Sequence, residues 1–398
     1  MSPSDRTTAN LGRHHILPPY MLEHLAENGP EELREAVVTD LSIDRSLRAT
    51  RVARPVAGFA TAEDTEDTSP NRTVYDAHNL RQLPGTEVLR EGGEPVSDVA
   101  VTEAYDGLGA TFAFWWEVFG RNSIDGNGLP LDASVHYSRA YDNAFWDGEQ
   151  MVFGDGDGQL FNRFTVSVDV IGHELAHGVT GAVRDLEYQG QSGALNESLS
   201  DVFGSLVKQY AADPKQTTEQ ADWLIGEGLL TSSVQGVALR SMKAPGTAYD
   251  DPNLGKDPQP ATMADYVETT DDNGGVHINS GIPNRAFYLA AAGFGGYAWE
   301  KAGQIWFAAL SSPDLTTTAT FAEFAAATAE QAEELFGAEA RTVVEGAWGE
   351  VGVEVGGAAP QEPGEGEVSG GVGQTDGETK VVDVTQAEAD ASAEANQI

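Results

Sequence analysis

The sequence predicts an α+β fold of two lobes, a β-rich N-terminal lobe and a mainly α-helical C-terminal lobe, with one histidine-bearing helix between them. Two observations support this prediction. From about 73 to 186 the chain reads mostly as short apolar runs separated by turn signals, which is typical of strands. From about 159 onward helical periodicity takes over, and the stretch 281–350 is rich in alanine.

The first 55 residues form a separate segment in this interpretation. They hold eight acids and seven arginines and are close to neutral, unlike the rest of the chain. Pro18 and Pro19 favour an extended backbone of the kind that lies in a cleft. His14 and His15 have no acid at metal-site spacing, so we expect both to face solvent. Four arginines recur every third residue and indicate a helical face or a cleavable basic stretch: Arg45, Arg48, Arg51 and Arg54.

The remaining boundaries follow from composition. Residues 60–72 are polar without apolar periodicity, which indicates a linker. DGNG at 125–128 follows a helical run and predicts a tight turn, and GDGDG at 154–158 predicts another. The tail is rich in Gly, Glu, Ala and Gln, and we expect it to be disordered. The predicted units are 1–55, the linker 56–72, the N-terminal lobe 73–186, the C-terminal lobe 187–355 and the acidic tail 356–398.

Composition excludes several classes of protein. The formal net charge of -40 argues against nucleic acid and anionic membranes as partners. No apolar run reaches the ~20 residues that a membrane span needs. The absence of cysteine excludes disulfides, thiolate metal sites and cysteine nucleophiles. The start lacks an ordinary signal peptide, so we expect a cytoplasmic protein or one secreted by a non-classical route, and we expect a monomer.

The central motif is His173-Glu174-Leu175-Ala176-His177. Residues four apart lie on one face of a helix, so both imidazoles can reach one ion, with Glu174 beside them. A second helical run, GALNESLSD, places Glu197 and Asp201 four apart. Zinc favours imidazole and carboxylate ligands, so Glu197 can be the third ligand. Asp201 can accept a hydrogen bond from the far nitrogen of a ligating histidine.

The motif and the two acids also have simpler interpretations. A five-residue HExxH pattern also occurs by chance in helices, and Glu197 and Asp201 could both face solvent. The apolar residues that flank both acids argue against exposure. A metal site completed by a third histidine six residues after the second is excluded, because that position is Val183.

The chain resembles the thermolysin family of zinc metallopeptidases. HELAH followed after a 19-residue gap by Glu197 is similar to the family's zinc site. The segment from Asp272 to Gly281, DNGGVHINSG, is similar to its other signature, and matching motifs extend from about Val74 to Gly352. The resemblance implies a thermolysin-like fold and a zinc-dependent neutral endopeptidase that acts on peptides or proteins.

The resemblance also implies roles for individual residues. His173, His177 and Glu197 would bind zinc, which would polarise a water molecule and the scissile carbonyl. Glu174 would take the proton from water and deliver it to the leaving amine. Tyr188 and His277 would donate hydrogen bonds to the oxyanion that develops on the scissile carbonyl, and Asp272 would orient His277.

Substrate contacts follow from the same resemblance. Asn143 and Ala144 match an edge segment that pairs with an extended peptide, and Arg240 matches the arginine that holds a substrate carbonyl. The pocket on the leaving-group side of the cut would prefer large hydrophobic residues such as Leu or Phe. Five residues match its lining: Phe161, Phe164, Val170, Ile225 and Leu239.

Calcium binding is where the sequence departs from the family. The family's double calcium site uses five acids, and this chain has three of them, Asp169, Asp222 and Glu227. Lys208 and Leu224 occupy the other two positions. A cation that faces three acids can replace the charge of a metal. The sequence therefore predicts that the double calcium site is lost.

The N-terminal HHILPPYML resembles the short pro-segment of the protealysin-like branch of the family. This implies a precursor that is activated by removal of its own intramolecular inhibitor.

Two alternative functions remain open. Another zinc hydrolase, such as an aminopeptidase, needs an anchor for a free amino terminus, and none is evident. A binding protein on a decayed scaffold would not need Glu174, Tyr188 and His277 together.

Overall fold

The short apolar runs of the N-terminal part form one mixed sheet. The computed structural model describes residues 14–49 and 69–356, without the side chains of His14 and residues 45–49. The predicted tail after Gly356 and all but the last four residues of the predicted linker lie outside this range, as do Arg51 and Arg54. The strands are β1 (His14–His15), β2 (Arg72–Asp76), β3 (Thr86–Arg90), β4 (Leu131–Val135), β5 (Ala144–Trp146), β6 (Met151–Phe153), β7 (Leu224–Ile225), β8 (Arg240–Ser241), β9 (Asp250–Asp251) and β10 (Gly255–Lys256).

The main sheet has the strand order β1-β5-β6-β4-β2-β3. Strand β4 runs parallel to both of its neighbours, β2 and β6, and the other pairs are antiparallel. Strands β7–β8 and β9–β10 form two small antiparallel pairs. All six strands of the main sheet precede residue 154, which confirms a β-containing N-terminal part.

Helices occupy most of the remaining described chain. They are α1 (Pro19–Asn28), α2 (Glu31–Ala49), α3 (Val99–Phe119), α4 (Val168–Val183), α5 (Gly190–Ala211), α6 (Asp272–Asn279), α7 (Gly281–Phe294), α8 (Ala302–Ser311), α9 (Phe321–Phe336) and α10 (Ala338–Glu350). The last four follow one another with short connections across the predicted alanine-rich stretch. The mixed α+β fold with a helical C-terminal part is therefore confirmed.

Two helix ends show why the sequence folds as it does locally. Helix α3 starts where the Asp98 side chain accepts hydrogen bonds from the amides of Ala100 and Val101, and it ends at Gly120 with φ of 62°. Helix α9 begins with a capping box between Thr320 and Glu323. A turn covers residues 123–125 at the start of DGNG, whereas no turn is assigned over residues 154–157 of GDGDG. Gly126, Gly128, Gly156 and Gly158 all have positive φ.

Helices α4 and α5 approach each other closely at two glycines. A Cβ atom on Gly172 would lie 3.1 Å from the Cα of Gly204, and one on Gly204 would lie 2.4 Å from the Asp169 carbonyl oxygen. Any larger residue at Gly204 would therefore push the helices apart. This close contact lets side chains of α4 and α5 reach a common point.

The N-terminal segment adds a strand to the sheet edge, and this corrects one expectation. Strand β1 pairs antiparallel with β5, with His15 opposite Phe145. His15 is fully buried, not exposed, and its Nδ1 lies 3.2 Å from Asp44 Oδ1 on α2. Sequence spacing did not place Asp44 near His15, because α2 folds back over the strand. No helix among the described residues is long and apolar enough to span a membrane.

Candidate metal centre and active-site cleft

Helices α4 and α5 bring three potential metal ligands together. His173 and His177 lie one turn apart on α4, and their Nε2 atoms are 3.1 Å apart. Each Nε2 lies 3.6 Å from one carboxylate oxygen of Glu197 on α5. The three ligand atoms lie within 4.8 Å of one another and all three residues are buried. Two imidazole nitrogens and one carboxylate form the donor set that catalytic zinc sites use.

The outer nitrogen of His173 is held by a carboxylate. Its Nδ1 lies 2.8 Å from Asp201 Oδ1, which directs Nε2 toward the cluster. Arg240 donates to both oxygens of Asp201 at 2.8 and 2.9 Å, and Asn284 donates to one at 2.8 Å. Burial alone would raise the pKa of Asp201, but the Arg240 guanidinium holds it well below its usual range. Asp201 is therefore an anion that fixes the His173 ring.

His177 is oriented by different groups, which the sequence interpretation missed. Its Nδ1 lies 2.7 Å from Asn196 Oδ1 and 2.9 Å from Ser200 Oγ. These two residues are four apart on α5, and Asn196 directly precedes Glu197. That spacing was a usable signal. Asn284, which supports Asp201 from 83 positions away, left no comparable signal in the sequence.

The three histidines around Glu197 keep its carboxylate ionised. Burial alone would raise the pKa of Glu197, but His277, His177 and His173 together outweigh it and hold that pKa at about 2. A carboxylate kept ionised inside the protein, beside two imidazoles whose Nδ1 atoms are already engaged, suits a divalent cation. The residues present therefore fit zinc.

Glu174 lies in the same buried layer. Its Oε2 accepts a hydrogen bond of 3.1 Å from the Trp146 amide at the end of β5. The sequence placed Glu174 beside the metal ligands, and the fold adds that its carboxylate faces the edge strand of the sheet.

Tyr188 and His277 approach Glu197 from the opposite side. The Tyr188 hydroxyl donates to Glu197 Oε1 and lies 3.3 Å from His277 Nε2. Asp272 accepts from the His277 amide at 2.9 Å and lies 2.7 Å from its Nδ1. Asp272 can reach back in this way because it and the next three residues have positive φ, a conformation that two glycines, Gly274 and Gly275, favour.

The residues expected to bind substrate surround the N-terminal segment. Ile16 donates from its amide to the Ala144 carbonyl at 3.2 Å, and its carbonyl accepts from Arg240 at 3.2 Å. The Leu17 amide donates to Asn143 Oδ1 at 3.0 Å. The residues expected to line the pocket are all buried in the hydrophobic core: Phe161, Phe164, Val170, Ile225 and Leu239.

Lys208 lies among the three acids expected around it. Its Nζ is 2.7 Å from Asp222, 3.0 Å from Glu227 and 3.3 Å from Asp169. Burial alone would lower the pKa of Lys208, but the three carboxylates outweigh it and raise that pKa. Leu224, at the fifth position, lies in β7 and donates from its amide to Asp222.

The fold and the site together define a zinc metallopeptidase. An HExxH helix supplies two histidines and a glutamate, the following helix supplies the third ligand, and a sheet edge runs along the cluster.

Comparison with known proteins makes this class specific. Residues 56–181 match "Thermolysin metallopeptidase, catalytic domain" and residues 184–353 match "Thermolysin metallopeptidase, alpha-helical domain". The chain belongs to the thermolysin family of metallopeptidases. It is therefore a zinc-dependent metalloendopeptidase.

The matches to three individual relatives cover nearly the whole length of each relative. An "Extracellular metalloprotease" of Pectobacterium carotovorum subsp. carotovorum is 52% identical over 85% of this chain and 96% of its own. "Protease PrtS" of a Photorhabdus species is 49% identical over 85% and 92%. Among solved structures, the precursor of protealysin, a metalloproteinase from Serratia proteamaculans, is similar with a TM-score of 0.78, 54% identity and coverage of 85% and 99%.

Proposed function

We propose that this zinc endopeptidase is made as an inactive precursor and cleaves peptide bonds before large hydrophobic residues. The convergence of His173, His177 and Glu197 on one point carries the proposal. When bound there, zinc supplies a Lewis acid that activates water and the peptide carbonyl. Glu174 removes a proton from the water and later delivers it to the leaving amine, and its buried position beside the ligands supports this role.

Two side chains on the far side of Glu197 stabilise the oxyanion. The Tyr188 hydroxyl and His277 Nε2 lie 3.3 Å apart and both face the ligand cluster. Donors already fixed in place stabilise developing charge without reorganisation during the reaction. Asp272 holds His277 in the orientation that exposes Nε2.

Substrate binds as an added strand along β5. Asn143 and Ala144 offer side-chain and main-chain oxygens to amides of the peptide, and Arg240 offers a guanidinium to a carbonyl. The leaving-group pocket accepts a large apolar side chain because its five lining residues are apolar and buried.

Residues 1–55 act as the inhibitory pro-segment. Ile16 and Leu17 are fully buried and use the contacts proposed for substrate. The chain then needs a cut between about 50 and 72 to become active. Intact mass and activity of the uncut protein test this proposal, and full activity of an uncut preparation would contradict it.

Three further proposals concern the setting of the enzyme. Lys208 replaces the family's double calcium site, which its contacts with three acids support. The protein acts as a monomer and binds neither nucleic acid nor membranes. Its units are the pro-segment 1–55, the linker 56–72, the N-terminal lobe 73–186, the C-terminal lobe 187–355 and the tail 356–398. It is exported from the cell, since two relatives are named extracellular.

The decisive experiment assays internally quenched peptides with and without a metal chelator. An endopeptidase cuts inside blocked peptides and loses activity with chelator, and rates should rise when Leu or Phe follows the cut. An aminopeptidase would require a free amino terminus. A non-enzymatic zinc protein would turn over none of the peptides even after removal of the pro-segment.

A further inference from the structure

Residues 154–156 connect two parts of the cleft that we assign to substrate binding. The Gly154 amide donates to the Asn143 carbonyl at 3.0 Å, and the Gly154 carbonyl accepts from the Phe164 amide at 3.1 Å. Asn143 lies on the edge that pairs with the peptide, and Phe164 lines the proposed leaving-group pocket. A displacement of residues 154–156 would therefore move both substrate contacts at once.

This segment packs tightly against the backbone on both sides. A Cβ atom on Gly154 would collide with the Tyr141 carbonyl oxygen, and one on Gly156 would lie 2.6 Å from the Phe161 carbonyl oxygen. The Gly156 amide also donates to the Tyr141 carbonyl at 3.2 Å. Asp155, between the two glycines, has the one side chain of the segment. The groups that hold Asp155 therefore determine where the segment lies.

His136, the residue after β4, binds Asp155 on one side of its ring and Asp98 on the other. Its Nδ1 lies 2.8 and 2.9 Å from the two Asp155 oxygens, and its Nε2 lies 3.0 Å from Asp98 Oδ2. The other oxygen of Asp98 accepts from the Ala100 amide at 2.9 Å and so caps α3. His136 thus links residues 154–156 to the start of a 21-residue helix.

The His136 ring needs a positive charge to donate to both acids. A neutral imidazole has one N–H donor, whereas an imidazolium donates from both nitrogens and can bind two carboxylates. The hydrogen bond to Asp155, with a smaller contribution from Asp98, outweighs burial and raises the pKa of His136 to about 9. These two carboxylates are the ionisable groups in contact with His136 among the described residues. The ring is therefore charged at neutral pH.

We propose that His136 is a positioning residue for peptide binding, which through Asp155 holds Asn143 and the Phe164 side of the leaving-group pocket in place. The inference rests on the substrate-binding roles proposed above. It concerns peptide binding rather than bond cleavage, because Glu174 and the zinc ligands come from other elements, α4 and α5. Loss of the His136 charge should therefore raise KM and leave kcat nearly unchanged.

The first experiment measures KM and kcat of the processed enzyme with a blocked, internally quenched peptide. Position 136 has φ of 55°, which asparagine adopts readily, so His136→Asn keeps the backbone but loses the charge. KM should rise roughly fivefold, the upper range for a partly exposed ion pair. Asp155→Asn should raise KM alike, and the double variant should be no worse than either single variant, because both changes remove one interaction.

His78→Asn is the matched control. His78 also has a positive φ, of 54°, and its Nδ1 lies 2.9 Å from Asp76. Its side chain is 55% exposed, and its partners Asp76 and Thr86 lie on β2 and β3. This variant should keep the KM and kcat of the wild type.

The pH dependence of KM separates positioning from a purely structural role. Because the pKa of His136 is raised, its contacts are complete below the ordinary value of about 6.5 and are lost as pH rises through about 9. Wild-type KM should therefore change little between about pH 7 and about pH 8 and rise above about pH 9. His136→Arg keeps its charge at these pH values, so it should have a wild-type KM at neutral pH without the alkaline rise.

The results distinguish this inference from the proposed function. If the processed wild type cleaves no peptide, the proposed function fails. If it is active but His136→Asn and Asp155→Asn lower Tm without raising KM, His136 has a structural role alone and the inference is wrong. An equal alkaline rise of KM in the wild type and in His136→Arg would also overturn it.

Discussion

Replacing Lys208 should destabilise the protein mainly through one buried acid. Asp169 is fully buried, and its Oδ1 already accepts from Ser167 at 2.7 Å and Gly226 at 2.9 Å. Its Oδ2 faces Lys208 Nζ at 3.3 Å. At an effective dielectric constant of about 20 this pair attracts by roughly 5 kcal/mol before the cost of desolvation. Removing one partner of a buried pair typically costs about 3–5 kcal/mol.

The ion pairs of Lys208 with Asp222 and Glu227 contribute less to the free energy of unfolding. The side chains of Asp222 and Glu227 are 31% and 54% exposed, so water screens them and each adds at most about 1 kcal/mol. We therefore expect Lys208→Met to lower the free energy of unfolding by about 3–5 kcal/mol. For a chain of this size that corresponds to a decrease in Tm of roughly 5–10 °C.

Thermal melts across a calcium titration measure this effect. Lys208→Glu should melt below the wild type without calcium and regain part of the loss when calcium is added, because a fourth acid can then bind the metal. Lys243→Met, at an exposed lysine, is the matched control and should change Tm little. A wild-type Tm that rises steeply with calcium, or a Lys208→Met variant that melts like the wild type, would contradict this prediction.

Three other predictions test the site and its regulation. Glu174→Ala should keep stoichiometric zinc but lose about 10²–10⁴-fold in activity, whereas Glu197→Ala should lose the metal; the reverse pattern in metal analysis would contradict the assigned roles. Tyr188→Phe should lower kcat more than it raises KM, and an effect on KM alone would remove it from the oxyanion site. Burial raises the pKa of Asp40 from 3.8 to about 7, so the folded precursor is stabilised by this group below about pH 4 and loses that contribution as pH rises through 7. Asp40→Asn should flatten this pH dependence of uncut-precursor activity relative to the processed enzyme, and an unchanged profile would exclude Asp40 as its source.

Local sequence determined the metal ligands and their helices. His173 and His177 are four apart on one helix, and Glu197 and Asp201 repeat that spacing on the next, so helix geometry alone places each pair on one face. The turn at DGNG and the alanine-rich C-terminal helices were predictable for the same reason. Each of these features depends on contacts within a few residues, which periodicity and turn chemistry record.

Only the tertiary structure shows which residues that are distant in the sequence contact each other. Asn284 supports Asp201 from another helix, and His15 is buried against Asp44 although spacing along the chain suggested exposure. The register of Ile16 against Arg240 joins residues 224 positions apart. Such pairs leave no periodic trace in the sequence, because they exist only after distant strands and helices pack together and exclude water from the cleft.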